Sequence, residues 1–272
     1  MNENEIVDGA GEIRKLGCLL PPAGRVCALP VFEDAAPQLT DAEIESIARS
    51  GVMDGRKKFD SSWIKDQKSH GSCNGFAGAE ALSRARVRRG LERVDLSGAY
   101  LYSLINGGSD NGSMLVDGME AIQHGLATEA TVGWDAIYPN RYDTAKAKAE
   151  SDRFKAFECY QVRTLKGYWS ALALGWDTVV AVHVGNRFMS LDSNGIAGVD
   201  SGPGNHAVCV DGLIWVNGLT GTGANSWNLT YGAQGRMNLV EDHFRQTFPN
   251  HGFYAIRSTM DDPQGKNPPS AN

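Results

Sequence analysis

The chain has 272 residues, 42% of them hydrophobic, with a formal net charge of −6 and a pI near 5.5. That is enough apolar material for one large domain or two small lobes, and the mild acidity argues against nucleic acid or an anionic membrane as a partner. No apolar run approaches the roughly 18 to 20 residues of a membrane span.

Residues 1–14 are polar and acidic and lack the basic start and apolar core of a signal peptide. A cytoplasmic or virion-associated location is therefore expected. Residues 1–59 carry Pro21, Pro22, Pro30 and Pro37 and little periodicity. They read as an arm that wraps the domain or mediates contacts within a larger protein assembly. Their one helical candidate spans 41–49, with Thr40 or Asp41 as N-cap.

Residues 60–150 read as helical. The stretch 73–89 places Phe76, Ala77, Ala81, Leu82 and Ala85 on one face with charges opposite, and Gly90 ends it. Its basic run Arg84, Arg86, Arg88 and Arg89 reads as a solvated helix face. Further helices are expected over 96–105 and over 114–124, the latter stopped at Gly125. Residues 157–258 read as strand-rich, with strands over 178–184, 207–216, 235–240 and 252–256. A polar, flexible tail is expected over 259–272. A helical half followed by a strand half is α+β, with a cleft between the two lobes.

The chemistry begins at Cys73, which opens the helix at 73–89 after His70-Gly71-Ser72. Unpaired N–H groups and positive partial charge at a helix N-terminus favour a thiolate and lower a cysteine pKa. The alternative is a small buried core residue. The other cysteines are Cys18, Cys27, Cys159 and Cys209, an odd total of five without metal-type spacing. A nucleophilic thiol needs a base. Of six histidines, His206 enters a strand, Asn205-His206-Ala207-Val208, which holds its ring rigidly. His124, His243 and His251 read as surface residues and His183 as a core residue. Asn225-Ser226-Trp227 offers an amide to orient the imidazole and an indole to shield the contact.

In order along the chain, these segments resemble the papain-like cysteine proteases. Ile64-Lys65-Asp66-Gln67-Lys68-Ser69-His70-Gly71-Ser72-Cys73-Asn74-Gly75-Phe76-Ala77 is similar to the family's cysteine segment, Asn205-His206-Ala207-Val208 to its histidine strand, and Asn225-Ser226-Trp227 with Tyr231-Gly232-Ala233-Gln234-Gly235 to its asparagine segment. Weaker echoes are Leu96-Ser97-Gly98-Ala99-Tyr100-Leu101, Asp110-Asn111-Gly112-Ser113 and Gly125-Leu126-Ala127-Thr128-Glu129. His206 lies 133 residues after Cys73, within the usual spacing of about 130–150. The resemblance spans about residues 60–258. It implies a two-lobed fold, a helical first lobe and an antiparallel, β-barrel-like second, and a cysteine endopeptidase working through a Cys73–His206 ion pair and an acyl-enzyme.

The same resemblance implies further roles. Gln67 would donate to the oxyanion and Trp227 would cover the His206–Asn225 contact. Asn111, Gly112 and Ser113 would pair with substrate backbone, and Met114, Val182 and Ala207 would line a pocket for the second residue before the scissile bond. Neither cofactor nor metal is implied, and the partner is a protein or peptide substrate. Four positions depart from the pattern, one of them Ser113, which stands for the second glycine of the cleft's usual pair. Asn74 stands where a tryptophan is usual. The two half-cystine positions hold His70 and Asp110, which implies an ion pair in place of the bridge. The helical inhibitory propeptide is not recognisable in 1–59. The departures keep a second reading open, a weakly active or inactive domain acting as a structural or binding component, and a third, transamidation by the same triad.

Overall fold

The computed structural model describes residues 4–261. At its centre lies the helix that opens at Cys73. In chain order the elements are β1 (Glu5–Val7), β2 (Ile13–Lys15), β3 (Cys18–Leu19), α1 (Phe32–Ala35), α2 (Asp41–Ser50), α3 (Gly55–Lys58), α4 (Cys73–Arg88), α5 (Gly98–Ile105), β4 (Ser113–Met114), α6 (Leu115–Ala121) and α7 (Thr144–Ser151). They continue as β5 (Ala156–Val162), α8 (Leu165–Ala173), β6 (Asp177–Val182), β7 (His206–Trp215), β8 (Leu219–Ala224), β9 (Arg236–Val240), α9 (Glu241–His251) and β10 (Phe253–Thr259). The fold is α+β and two-lobed, as expected, with α1–α7 before residue 152 and, after it, one antiparallel six-stranded sheet whose strands alternate with α8 and α9. Its order, β5-β10-β6-β7-β8-β9, is an open ladder rather than a closed barrel.

Local chemistry explains the elements that the sequence marks. Helix α2 starts with a complete capping box, Thr40 and Glu43 bonding each other's backbone N–H, and stops at Gly51 in the left-handed region at φ 65°. Helix α4 ends before Gly90 (φ 78°). A Cβ at Gly75 would overlap the carbonyl of Gly98, so α4 and α5 approach at backbone distance. The expected third helix is α6 followed by one 3₁₀ turn, Ile122–His124, before Gly125. In β7 nine of ten residues are buried, because helices cover both faces of the sheet.

Four expectations need correction. The basic run on α4 is not a solvated face: Arg84 is fully buried and Arg86 nearly so. Arg84 bonds Glu80 (2.7 Å) one turn earlier and Asp211 on β7, and Arg236 bonds the same Asp211 at 2.6 Å. Helix α4 is enclosed by the sheet on the side where its charges suggest water, and buried acids neutralise it. Residues 219–224, rich in Gly and Thr, form strand β8, which is not among the expected strands; Gly221 and Gly223 leave room for Val210 and Met237. The histidine forecast inverts: His243 and His251 are buried where α9 packs on the sheet, while His183 is partly exposed and its Nδ1 lies 2.6 Å from the Pro203 carbonyl. Finally, β10 runs on to Thr259, and Asp261 is ion-paired with Arg86. The rest of the expected tail, 262–272, lies outside the described residues.

Segments of residues 4–59 pack on both halves of the chain. Helix α2 packs against β7, with Ile44 and Ala48 in the core of the strand lobe. Strands β1 and β2 form a hairpin, and β3 pairs in parallel with β4, Cys18 opposite Ser113 and Leu19 opposite Met114. That pairing lays the arm across the cleft.

Candidate active site

Cys73 is the first residue of α4, and His206 is the first residue of β7. The His206 Nε2 lies 2.8 Å from Asn225 Oδ1, whose backbone follows the end of β8. Trp227 stacks on the imidazole at 4.5 Å and 30°. Both rings are fully buried. The other ring nitrogen, Nδ1, is buried without a hydrogen-bond partner. The Cys73 sulfur accepts from the backbone N–H of Ala207, the residue after His206, and from those of Gly17, Asn74 and Cys73 itself. The thiol thus lies against the backbone of the residue that follows His206 in β7.

Gln67 is tied down at both ends of its amide. Its Oε1 accepts from Ser226 Oγ at 2.6 Å, and its Nε2 donates to the carbonyls of His70 (2.8 Å) and Lys15 (3.2 Å).

In this geometry the pKa values move against the helix-terminus expectation. Burial pushes the Cys73 thiol up to about 11, although the surrounding N–H groups oppose it. Burial lowers His206 to about 4, with the Asn225 contact opposing. Both groups are neutral at pH 7. Exclusion of water outweighs the helix N-terminus here because the arm seals the site.

The seal is made by residues 14–19. Arg14, fully buried, bonds Asp8 (2.7 Å), Glu12 (2.6 Å) and Asp66 (2.6 Å). Gly17 lies over Cys73 and gives its carbonyl to the Ser113 N–H at 2.8 Å. A Cβ at Gly17 would overlap the Gly71 carbonyl, and one at Gly112 would run into Gly17, so only glycines pass here. Cys18 N–H bonds the Asn205 carbonyl (3.0 Å), and its sulfur sits 3.7 Å from His251 Nδ1.

A family model described as papain family cysteine protease matches residues 50–253. The chain belongs to the papain family. It is accordingly a cysteine peptidase, a hydrolase acting on proteins or peptides. The structure is similar to xylellain, a cysteine protease from Xylella fastidiosa (18% identity over 90% of this chain and 97% of that one, TM-score 0.66). It is also similar to procathepsin B S9 from Trypanosoma congolense (17%, 89% and 86%, 0.62) and to the proform of the ragweed pollen protease Amb a 11 (20%, 84% and 69%, 0.62). No curated protein sequence matches it.

The remaining residues singled out by the papain-like pattern are placed as follows. Gly112, Ser113 and Met114 border the cleft and face the arm. Asn111 is exposed and donates to Ser109 Oγ (3.2 Å). Ala207 belongs to the same core as Cys73, but Val182 packs in the other core with Phe188 and Trp227; strand alternation brings Ala181 to the cleft side instead. His70 Nδ1 and Asp110 Oδ2 are 3.5 Å apart, so the two positions that lack cysteine face each other. Asn74 donates to Ser113 Oγ (3.1 Å) and to the Met114 carbonyl (2.7 Å), fastening β4 to α4. All five cysteines are free thiols. Among the described residues no group of metal-ligating side chains is found, and no helix is long and apolar enough to cross a membrane.

Sequence reasoning missed the sealing residues Arg14, Lys15 and Gly17, and the anchoring role of Asn74. The available signal for the first was a basic pair beside a glycine, in a segment with alternating Leu16 and Cys18.

Proposed function

We propose that the chain is a cysteine endopeptidase held shut by its own residues 14–19. The observation that carries the reading is His206, fixed by Asn225 and roofed by Trp227, with its buried Nδ1 unpartnered and the N–H of the next residue, Ala207, directed at the Cys73 sulfur. With the arm displaced and water admitted, the Cys73 proton passes to His206 and an ion pair forms. The thiolate attacks the peptide carbonyl carbon. Negative charge on the carbonyl oxygen is met by Gln67 Nε2 and the Cys73 N–H. The imidazolium returns the proton to the departing amine as the C–N bond breaks, leaving an acyl thioester. Water, deprotonated by His206, then releases the acid and regenerates the thiol.

The test is labelling with an epoxide-type cysteine protease inhibitor, read by mass spectrometry, alongside peptide turnover. An adduct on Cys73 and loss of turnover in Cys73→Ala are expected. Intact turnover in Cys73→Ala with no adduct would sink the reading. A second reading, a structural or binding domain with little turnover, draws on the complete burial of Cys73 and His206. It predicts no Cys73 adduct even when the arm is loosened.

A further inference from the structure

The arm carries a lysine into the cleft, and its two ends occupy two different kinds of site. The Lys15 carbonyl takes the Gln67 Nε2 hydrogen bond at 3.2 Å. Its ammonium bonds the Asp110 backbone carbonyl and lies 3.3 Å from Asp110 Oδ2. Gln67 is the oxyanion donor in the mechanism above, and the Lys15 carbonyl takes the longer of its two hydrogen bonds while Gly17 lies over Cys73, so Lys15 borders the place where a substrate carbonyl would bind and its side chain reports the charge that a side chain there would meet.

What it meets is a fixed carboxylate with one face left for a cation. Asp110 is held by a division of labour between its two oxygens. Oδ1 accepts the Gly71 N–H (2.8 Å) and the Tyr102 hydroxyl (3.0 Å), which fix the carboxylate at the glycine wall of the cleft. Oδ2 is turned to Lys15 and to His70 Nδ1 at 3.5 Å. Burial alone would raise the Asp110 pKa, but His70, Gly71, Tyr102 and Lys15 together bring it below the ordinary value, so it is an anion at neutral pH. The side chains of Asp110 and Lys15 are 19% and 27% exposed, so the pair is only partly screened by solvent. When the arm leaves, the Oδ2 face loses the Lys15 cation while Oδ1 keeps both donors.

We infer that Asp110 forms a subsite that selects a lysine or arginine side chain on the substrate residue supplying the scissile carbonyl. This deepens the peptidase reading and rests on it. The lysine on the arm is then a stand-in that uses the enzyme's own specificity to keep the cleft closed. Loss of both half-cystines acquires a purpose: the position opposite His70 is free to be an acid.

The experiment uses the full chain with Arg14→Ala and Lys15→Ala to loosen the arm. Peptides identical except for arginine, lysine, leucine or glutamate before the scissile bond are compared by kcat/KM. A preference of about tenfold for arginine and lysine over leucine is expected, the size of a hydrogen bond to a charged group. Asp110→Asn keeps an Oδ1 acceptor for Gly71 and Tyr102 and removes only the charge; it should bring the ratio to about one. An unchanged ratio in Asp110→Asn overturns the inference. A second readout does not depend on turnover. Fluorescence anisotropy of labelled arginine and leucine peptides is measured on the loosened chain carrying Cys73→Ala. It should show the same preference while Asp110 is present and none once Asp110→Asn is added. Equal affinities with Asp110 present also overturn the inference. Preferential binding with no turnover of any peptide sinks the peptidase reading and leaves the cation subsite standing.

Discussion

Arg14→Ala should open the cleft without dismantling the fold. The guanidinium is fully buried and holds together Asp8 and Glu12 of the arm and Asp66 of the body, with the Trp227 carbonyl at 3.5 Å as a further acceptor. Removing it leaves the nearly buried Asp8 without its cation. The Glu12 pair is half-exposed and contributes little. The loss is therefore set by the Asp8 and Asp66 contacts, and breaking a buried pair by removing one partner costs about 3–5 kcal/mol. Because Arg14 joins the arm to the body, most of that cost falls on the docked arm. At about 1.4 kcal/mol per decade, even the lower figure raises the open fraction by about 10²-fold. The assay is the rate of Cys73 alkylation by a neutral thiol reagent, followed by mass spectrometry, with urea denaturation alongside. A rate about 10²-fold above the parent is expected, with cooperative unfolding retained. An unchanged alkylation rate with an equally large loss of global stability would refute the reasoning, because Arg14 would then belong to the core rather than to a latch.

Acid should loosen the same latch. In the closed state burial lowers His206 to about 4, whereas in an open, hydrated Cys73→Ala chain, which has no thiol to form the ion pair, it titrates near its ordinary value of about 6.5. Opening of that chain then takes up a proton between those two values, so its closed state is favoured above about pH 6.5 and loses ground as pH falls towards 4, by up to about 10²-fold. Hydrogen exchange at the Cys18 N–H, which bonds the Asn205 carbonyl in the closed arm, corrected for the intrinsic pH dependence of exchange, should quicken from pH 7 to pH 4.5; a flat corrected profile contradicts this. Deeper in the molecule, Arg84→Ala removes a cation shared by Glu80 and Asp211 and should cost about 3–5 kcal/mol in urea denaturation. A loss below about 1 kcal/mol would mean that Arg236 alone satisfies Asp211.

The positions proposed as catalytic were legible because each couples to a local feature: Cys73 to a helix start, His206 to a strand start, Asn225 to a strand end beside a tryptophan. Gln67 required the family order as well. What was illegible depends on distant partners. Nothing near Arg84 in sequence announces Asp211 on β7, so local patterning sends it to solvent. Nothing near Gly17 announces Gly71 and Gly112, so the sequence suggests a wrapping arm but not that it passes over Cys73. Val182 and Ala181 differ by one residue and by which side of the sheet they face, and a run of apolar β-branched residues does not say which side is the cleft. The pKa direction at Cys73 also depends on the arm, since a helix N-terminus lowers a thiol pKa only while desolvation stays small.

Strand β10 sits between β5 and β6, although it is the last element of the described chain. Its Tyr254 and Ile256 share a core with Cys73. On the ribosome, β5 and β6 must therefore wait with unpaired edges until β10 has been made, and the nucleophile's helix lacks one of its walls until then. The peptidase is thus assembled late, by a long-range insertion of the slow-folding kind, after the arm that seals it has long been made. The order of synthesis places the restraint ahead of the activity it restrains.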